Sequence, residues 1–200
     1  MSAEIIFRSI VAVLLVVSFS ISGYFRRRAN RETGEEVRYG KDEVKWSLWV
    51  RTIGAILFYV SMMLFLIYPP LINWAQIGLP LWLRWTGIGL MVIAIPLIFW
   101  MFRTLDTNVS PTVVTREQHT LVTTGPYRWI RHPLYTFATI NFMGVILVAA
   151  NWFMLITAMV ALWALHMRTP LEEQRLLEAF GEEYRIYMGR TGRYLPKWGG

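Results

Sequence analysis

Residues 134–167 read LYTFATINFMGVILVAANWFMLITAMVALWALHM, two apolar runs separated by the polar Asn151. Neither run, Leu134–Ala149 or Trp152–Met167, contains an Asp, Glu, Lys or Arg. A helix of about 16 residues rises roughly 24 Å, short of the roughly 30 Å hydrocarbon layer of a bilayer. The pair therefore either forms a helical hairpin on a thinned or tilted path, or re-enters the side it came from. The hairpin is preferred, because Asn suits a turn and both halves stay apolar throughout.

Three longer runs precede this pair. The first spans about Ile5 to Phe25 and ends at Arg26-Arg27-Arg28. It exceeds the core of a cleaved signal and lacks a small-residue cleavage site, so it is expected to be a retained anchor. The second runs from about Trp46 to Tyr68 and stops at Pro69-Pro70, and the third from about Leu81 to Phe102. Each is long enough to cross a membrane. Composition agrees: 55% of the 200 residues are hydrophobic, mean hydropathy is +0.40, and only 16% are charged. A soluble domain carries about 25%. The 10 Trp, 9 Tyr and 11 Phe can furnish interfacial belts. The absence of cysteine excludes disulfides, thiolate metal sites and a cysteine nucleophile.

Charge gives the orientation. Lys and Arg number seven from Phe25 to Lys45, four from Arg103 to Pro133 and six from Arg168 onward, with none from Pro69 to Pro80 or at the Asn151 turn. Five crossings put all three basic segments on one side, the cytoplasmic one by the positive-inside rule. The N-terminus is then outside and the C-terminus inside. The expected fold is an all-α integral membrane protein of about five transmembrane helices. Residues 1–102 supply three spans and a basic loop; residues 103–200 hold a cytoplasmic segment, the hairpin and an amphipathic C-terminal helix. That last helix is expected over Thr169–Gly189, with Thr169 as N-cap, Pro170 in the first turn and Glu172 closing a capping box. Its stripe is Leu176, Leu177, Phe180, Tyr184, Tyr187 and Met188. The segment Arg103–Pro133 carries β-favouring residues and turn signals. Arg51, Arg84 and Arg103 suit snorkelling interfacial charges.

No glycine-rich nucleotide loop or Gly-x-Ser-x-Gly elbow occurs, and His119, His132 and His166 lack metal-ligand spacing. Two polar clusters carry the candidate chemistry. The first is His119-Thr-Leu-Val with Gly125-Pro-Tyr-Arg-Trp-Ile-Arg-His-Pro-Leu-Tyr135, leading straight into the fourth run. The second is Arg168-Thr-Pro-Leu-Glu172-Glu173, at the exit of the fifth. These residues suit interfacial anchors and helix starts as well as a site, although ionisable groups beside hydrocarbon are functional candidates by default. The hairpin returns both clusters to one face.

The stretches His119–Val122, Gly125–Tyr127 and Arg131–Tyr135 resemble the signature of isoprenylcysteine carboxyl methyltransferases. The tail, with Arg168-Thr-Pro-Leu-Glu-Glu, Phe180-Gly-Glu-Glu-Tyr184, Tyr187 and Arg193-Tyr-Leu-Pro196, is similar to that family's C-terminal half. The resemblance implies methyl transfer from S-adenosylmethionine to the carboxylate of a lipid-modified or prenylated acceptor arriving through the bilayer. It assigns the cofactor to the positions His119, Thr120, Leu121, Val122, Tyr127, His132, Pro133, Leu134, Tyr135 and Glu172. It sets Arg168 beside the acceptor, so that Arg168, Glu172 and His132 become the catalytic candidates, with no metal. The same motifs occur in phospholipid N-methyltransferases and thiol S-methyltransferases and, more loosely, in NADPH-using sterol reductases. These are the alternatives.

Overall fold

A computed structural model describes residues 3–33, 45–106 and 120–197. Five α-helices carry the apolar runs: α1 (Ala3–Thr33), α2 (Lys45–Ile67), α3 (Leu81–Leu105), α4 (Pro133–Ala149) and α5 (Trp152–Arg190). By length and composition α1, α3 and α5 can each cross a membrane, while the apolar parts of α2 and α4 are shorter. Short 3-10 turns at Pro69–Leu71 and Asn73–Ala75 link α2 to α3, and another, Gly125–Arg128, precedes α4. The anticipated β character of Arg103–Pro133 reduces, among the described residues, to a single bridge between Ile130 and Gly192. The Ser110-Pro111 turn lies outside the described residues.

The turn foreseen at Asn151 is present. Ala150 ends α4 in the left-handed region (φ 50°), and the Asn151 side chain caps α5 by accepting from the Met154 amide at 3.0 Å. Its Nδ2 donates to the Ile72 carbonyl at 3.0 Å, tying the turn to the α2–α3 connection. From there, however, the helices splay instead of forming a tight hairpin: α4 packs along α3, and α5 along α2. Glycine sets these pairings. A Cβ on Gly144 of α4 would lie 2.6 Å from the Met91 Cγ and 2.7 Å from the Gly87 carbonyl oxygen of α3. Backbones approach this closely only where side chains are absent. On the other side, Gly54 of α2 faces the α5 backbone at Ala161.

The buried core divides in two. One cluster joins all five helices toward the Asn151 end, through residues such as Phe7, Phe58, Met91, Val148 and Met154. The other, at the opposite end, joins, among the described residues, α1, α3, α4 and the segment before α4, through Phe25, Ile98, Phe102, Ile130 and Phe137. There α5 has left the apolar core, and the α4–α5 junction is filled by polar side chains. Helix α4 is the innermost, with Met143 its single exposed residue. It need not match the bilayer thickness by itself, which explains how a 17-residue helix serves.

Two expectations are corrected. The C-terminal helix does not start at Thr169. Helix α5 runs unbroken through Thr169 and Pro170, so neither a cap nor a capping box exists there. The Thr169 hydroxyl instead bonds the Leu165 carbonyl at 3.2 Å and the Tyr194 hydroxyl at 2.6 Å. Proline in a helix interior removes one backbone donor, and this packing holds the helix through the gap. The break falls at Gly181 (φ 54°, ψ −125°), where an L side chain is disfavoured. The expected stripe survives beyond it, with Tyr184 and Tyr187 buried.

Arg84, second, does not snorkel. Its guanidinium is buried, donates to both Glu4 carboxylate oxygens and to the Val148 carbonyl (2.9 Å), and lies 4.3 Å from the Phe7 ring centroid. It thereby pins α1 and the end of α4 to the start of α3. Arg103 is exposed, as expected; the Arg51 side chain lies outside the described residues. Arg84→Met is expected to lower stability by about 2 kcal/mol, because three hydrogen bonds go and Glu4 is left unpaired. A thermal melt of the detergent-solubilised protein checks this, and Glu4→Gln should cost less, since Glu4 is 43% exposed.

Candidate active site

Pro133 starts α4 and sets its first turn without needing a donor. This places His132 at the N-cap, with φ −120° and ψ 60°. One turn on, Tyr135 stacks on the His132 ring at 5.5 Å between centroids and 9° between planes. Helix α5 returns from the Asn151 turn with Arg168, Glu172 and Glu173 at this level. The Tyr135 hydroxyl donates to both Glu172 oxygens at 2.7 and 2.9 Å. Arg168 pairs with Glu172 at 2.9 Å, one turn apart on the helix. His132 sits between two carboxylates: its Nδ1 is 3.6 Å from Glu172 and its Nε2 is 3.4 Å from Glu173. Four of the residues marked out by sequence, His132, Tyr135, Arg168 and Glu172, thus form one cluster at the α4–α5 junction.

The remaining candidates lie around it. Pro133 is buried at the helix start, and Leu134 packs into the α1–α3–α4 core. Tyr127 packs against the same core, and its carbonyl accepts from the Tyr187 hydroxyl at 2.7 Å. Burial pushes the Tyr127 phenol well above its ordinary pKa, so it stays neutral. Thr120 is exposed, while Leu121 and Val122 are half-buried ahead of the 3-10 turn. His119 lies outside the described residues.

The segment following α5 completes the cluster, and sequence reasoning gave it no role. Thr191–Tyr194 runs back beside residues 129–132: the Gly192 amide donates to Trp129 at 3.0 Å, Arg131 to Gly192 at 2.9 Å and His132 to Arg193 at 3.0 Å. A Cβ on Gly192 would lie 1.7 Å from the Leu195 carbonyl, so this turn accepts only glycine. Tyr194 is thereby brought to 5.9 Å from the His132 ring and 6.5 Å from Tyr135. Its hydroxyl also meets His166 Nδ1 at 3.0 Å. Tyr194→Phe is expected to cost about 1 kcal/mol of stability, since it deletes the hydroxyl that joins Thr169 and His166, readable in the same melt.

Glu173, quoted with the second cluster, was likewise left without a role. It takes Arg131 at 2.9 Å and also Arg193, whose guanidinium pKa that hydrogen bond raises. Nothing in the pair Glu172-Glu173 distinguishes the two by spacing. The signal was their adjacency: consecutive helical residues point about 100° apart, so two glutamates in a row can serve two sides of a junction. Chemically, the arrangement offers aromatic faces that suit a cation and a guanidinium that can orient an anion, at a helix junction bordered by exposed apolar residues such as Trp163 and Met167.

A family model described as phospholipid methyltransferase matches residues 82–183, which hold α3, α4 and most of α5. The human protein-S-isoprenylcysteine O-methyltransferase is 31% identical over 128 residues, covering 62% of this chain and 45% of that protein. The probable rice enzyme (Oryza sativa subsp. japonica) is 31% identical over 114 residues, with 54% and 60% covered. The Saccharomyces cerevisiae enzyme is 34% identical over 92 residues, with 44% and 38% covered. The chain thus spans about half the length of the curated relatives it matches. A solved structure of the eukaryotic intramembrane Ras methyltransferase, isoprenylcysteine carboxyl methyltransferase, shares the fold with a TM-score of 0.50. It is 21% identical, with 78% of this chain and 53% of that one covered.

Proposed function

Because this chain belongs to the phospholipid methyltransferase family, we propose that it moves a methyl group from S-adenosylmethionine to a lipophilic acceptor, the carboxylate of an isoprenylcysteine-like molecule. The observation that carries this reading is the closed contact of Tyr135, Glu172, Arg168 and His132 where α5 leaves the apolar core. The relatives named for isoprenylcysteine O-methylation favour the carboxylate over amine or thiol acceptors.

The donor set fits the cofactor. Tyr135, His132 and Tyr194 present stacked and tilted rings, suited to a sulfonium, and Glu172 can accept from hydroxyl or amino groups. S-adenosylmethionine supplies the methyl on a sulfonium sulfur, whose S–C bond breaks as the acceptor O–C bond forms. A carboxylate is already ionised at neutral pH, so the chain need not remove a proton, and the two reacting charges cancel as the ester forms. The residues' task is alignment in a dry site. Arg168 holds the acceptor carboxylate through one oxygen, which leaves the other nucleophilic. Glu172 restrains Arg168 and Tyr135, and His132 and Tyr135 form the wall that keeps water out. The lipid tail lies along the apolar outer face of α5, at Met159, Trp163 and Met167.

In this reading residues 1–102, holding α1, α2 and most of α3, anchor and brace, while residues 103–200 do the chemistry. The basic residues Arg26, Arg27 and Arg103 are exposed near the site end, which supports a cytoplasmic site, with the α4–α5 turn outside. Calorimetric titration of the detergent-solubilised protein with S-adenosylhomocysteine tests the donor half of the proposal. Saturable binding with one site per chain is expected. An isotherm showing no binding, on protein that melts cooperatively, removes the proposal.

A further inference from the structure

One carboxylate outside the proposed reacting set joins three separate segments of the chain. Glu173 is 8% exposed and accepts from the Arg131 Nε at 2.9 Å, from Arg193, and at 3.4 Å from the His132 ring. Arg131 donates through Nη1 to the Met188 carbonyl (3.2 Å) and the Thr191 carbonyl, at the end of α5. Between these side chains run the backbone bonds linking 129–132 to 192–193. The lead-in to α4, the body of α5 and the segment beyond α5 therefore meet at a single buried charge. Two guanidiniums converge on it, so an uncharged replacement leaves them facing each other in a site poorly screened by water.

What this junction holds in place is the aromatic wall. His132 is fixed through its backbone amide and through Nε2. Tyr194 follows Arg193 directly, and its carbonyl accepts from Thr136 at 2.8 Å. We infer that Glu173 is a positioning residue for the transfer: by gripping Arg131 and Arg193 it sets His132 and Tyr194 as adjoining walls around the reacting groups. Glu172 faces Tyr135 and Arg168, and Glu173 faces the clamp, one glutamate for each side of α5. The inference rests on the methyl-transfer reading and assigns Glu173 no contact with either substrate.

The test compares wild-type protein with Glu173→Gln, Glu173→Asp and Arg193→Gln, all as full chains in detergent. Initial rates are measured with labelled S-adenosylmethionine and a farnesyl-cysteine analogue. Hydrogen exchange at 129–132 and 191–194 is measured in parallel. A positioning role predicts that Glu173→Gln lowers kcat about 20-fold with acceptor KM within about twofold, as a misaligned but still bound substrate requires. Glu173→Asp should recover part of kcat. Arg193→Gln, which releases only the 39% exposed outer partner, should lower kcat about fivefold on a normally folded protein. Exchange should quicken in both segments. Wild-type rates in Glu173→Gln overturn the inference, as does a loss that follows the folded fraction alone and is not relieved by Glu173→Asp. Wild-type protein that transfers no methyl ends the methyl-transfer reading instead. The exchange data then decide the clamp by themselves, and equal exchange in all four proteins overturns it.

Discussion

Glu172→Gln is expected to weaken S-adenosylhomocysteine binding about 30-fold and to reduce methyl transfer at least as much, while the protein remains folded. The carboxylate takes one hydrogen bond, shared between its two oxygens, from the Tyr135 hydroxyl and one ion pair from Arg168. A hydrogen bond to a charged group contributes about 1.5–3 kcal/mol, and each 1.4 kcal/mol is a tenfold change in affinity. The amide keeps the shape and loses the charge, so Arg168 and Tyr135 lose their shared anchor without a cavity being made. Arg168→Ala should separate from it. Its donor binding should stay near wild type while acceptor KM rises, because Arg168 is assigned to the acceptor. Equal loss of donor binding in both variants would contradict that division of labour. Titration calorimetry and initial-rate kinetics on the same preparations check both.

Gly144→Leu is the second large effect, and it acts on the fold. The Cβ position is already within 2.7 Å of the Gly87 carbonyl oxygen, and a backbone atom in a packed helix cannot step aside. Overpacking of this kind costs about 1–3 kcal/mol or more. Here it pushes α4 off α3, and α4 carries His132 and Tyr135. The expected outcome is a much lower thermal midpoint and little folded protein after solubilisation. Gly89→Leu, on the partner helix α3, is the control, since nothing lies within 4 Å of its Cβ position. An unaltered melt for Gly144→Leu would mean that the α3–α4 contact does not bear on stability.

Much of this architecture was legible in the order of residues. Apolar runs bounded by Arg26–Arg28, Pro69-Pro70 and Asn151 located the helices, and the side-to-side alternation of basic charge placed His132 and Glu172 at one end. What escaped depended on partners distant in sequence. Thr169-Pro170 reads equally as a helix start or as a helix interior; the choice was made by Tyr194, 25 residues on. Arg84 has the pattern of a snorkelling charge until Glu4, 80 residues earlier, is brought against it. The splay of α4 from α5 was set by Gly87 and Gly144, and glycines carry no sign of what approaches them. Glu173 stood in the second cluster without a role because its partners, Arg131 and Arg193, sit on opposite sides of it in the chain and converge only through the segment that folds back after α5.

As proposed, the cluster of His132, Tyr135, Arg168 and Glu172 transfers a methyl to a lipid-borne carboxylate. The most direct measurement is incubation of the purified protein with methyl-labelled S-adenosylmethionine and a farnesyl-cysteine analogue, followed by extraction and mild base. Label that enters the lipid fraction and is released by base as methanol is the expected result, marking a methyl ester. No label in that fraction, or label that survives base as an N- or S-methyl group, would contradict it.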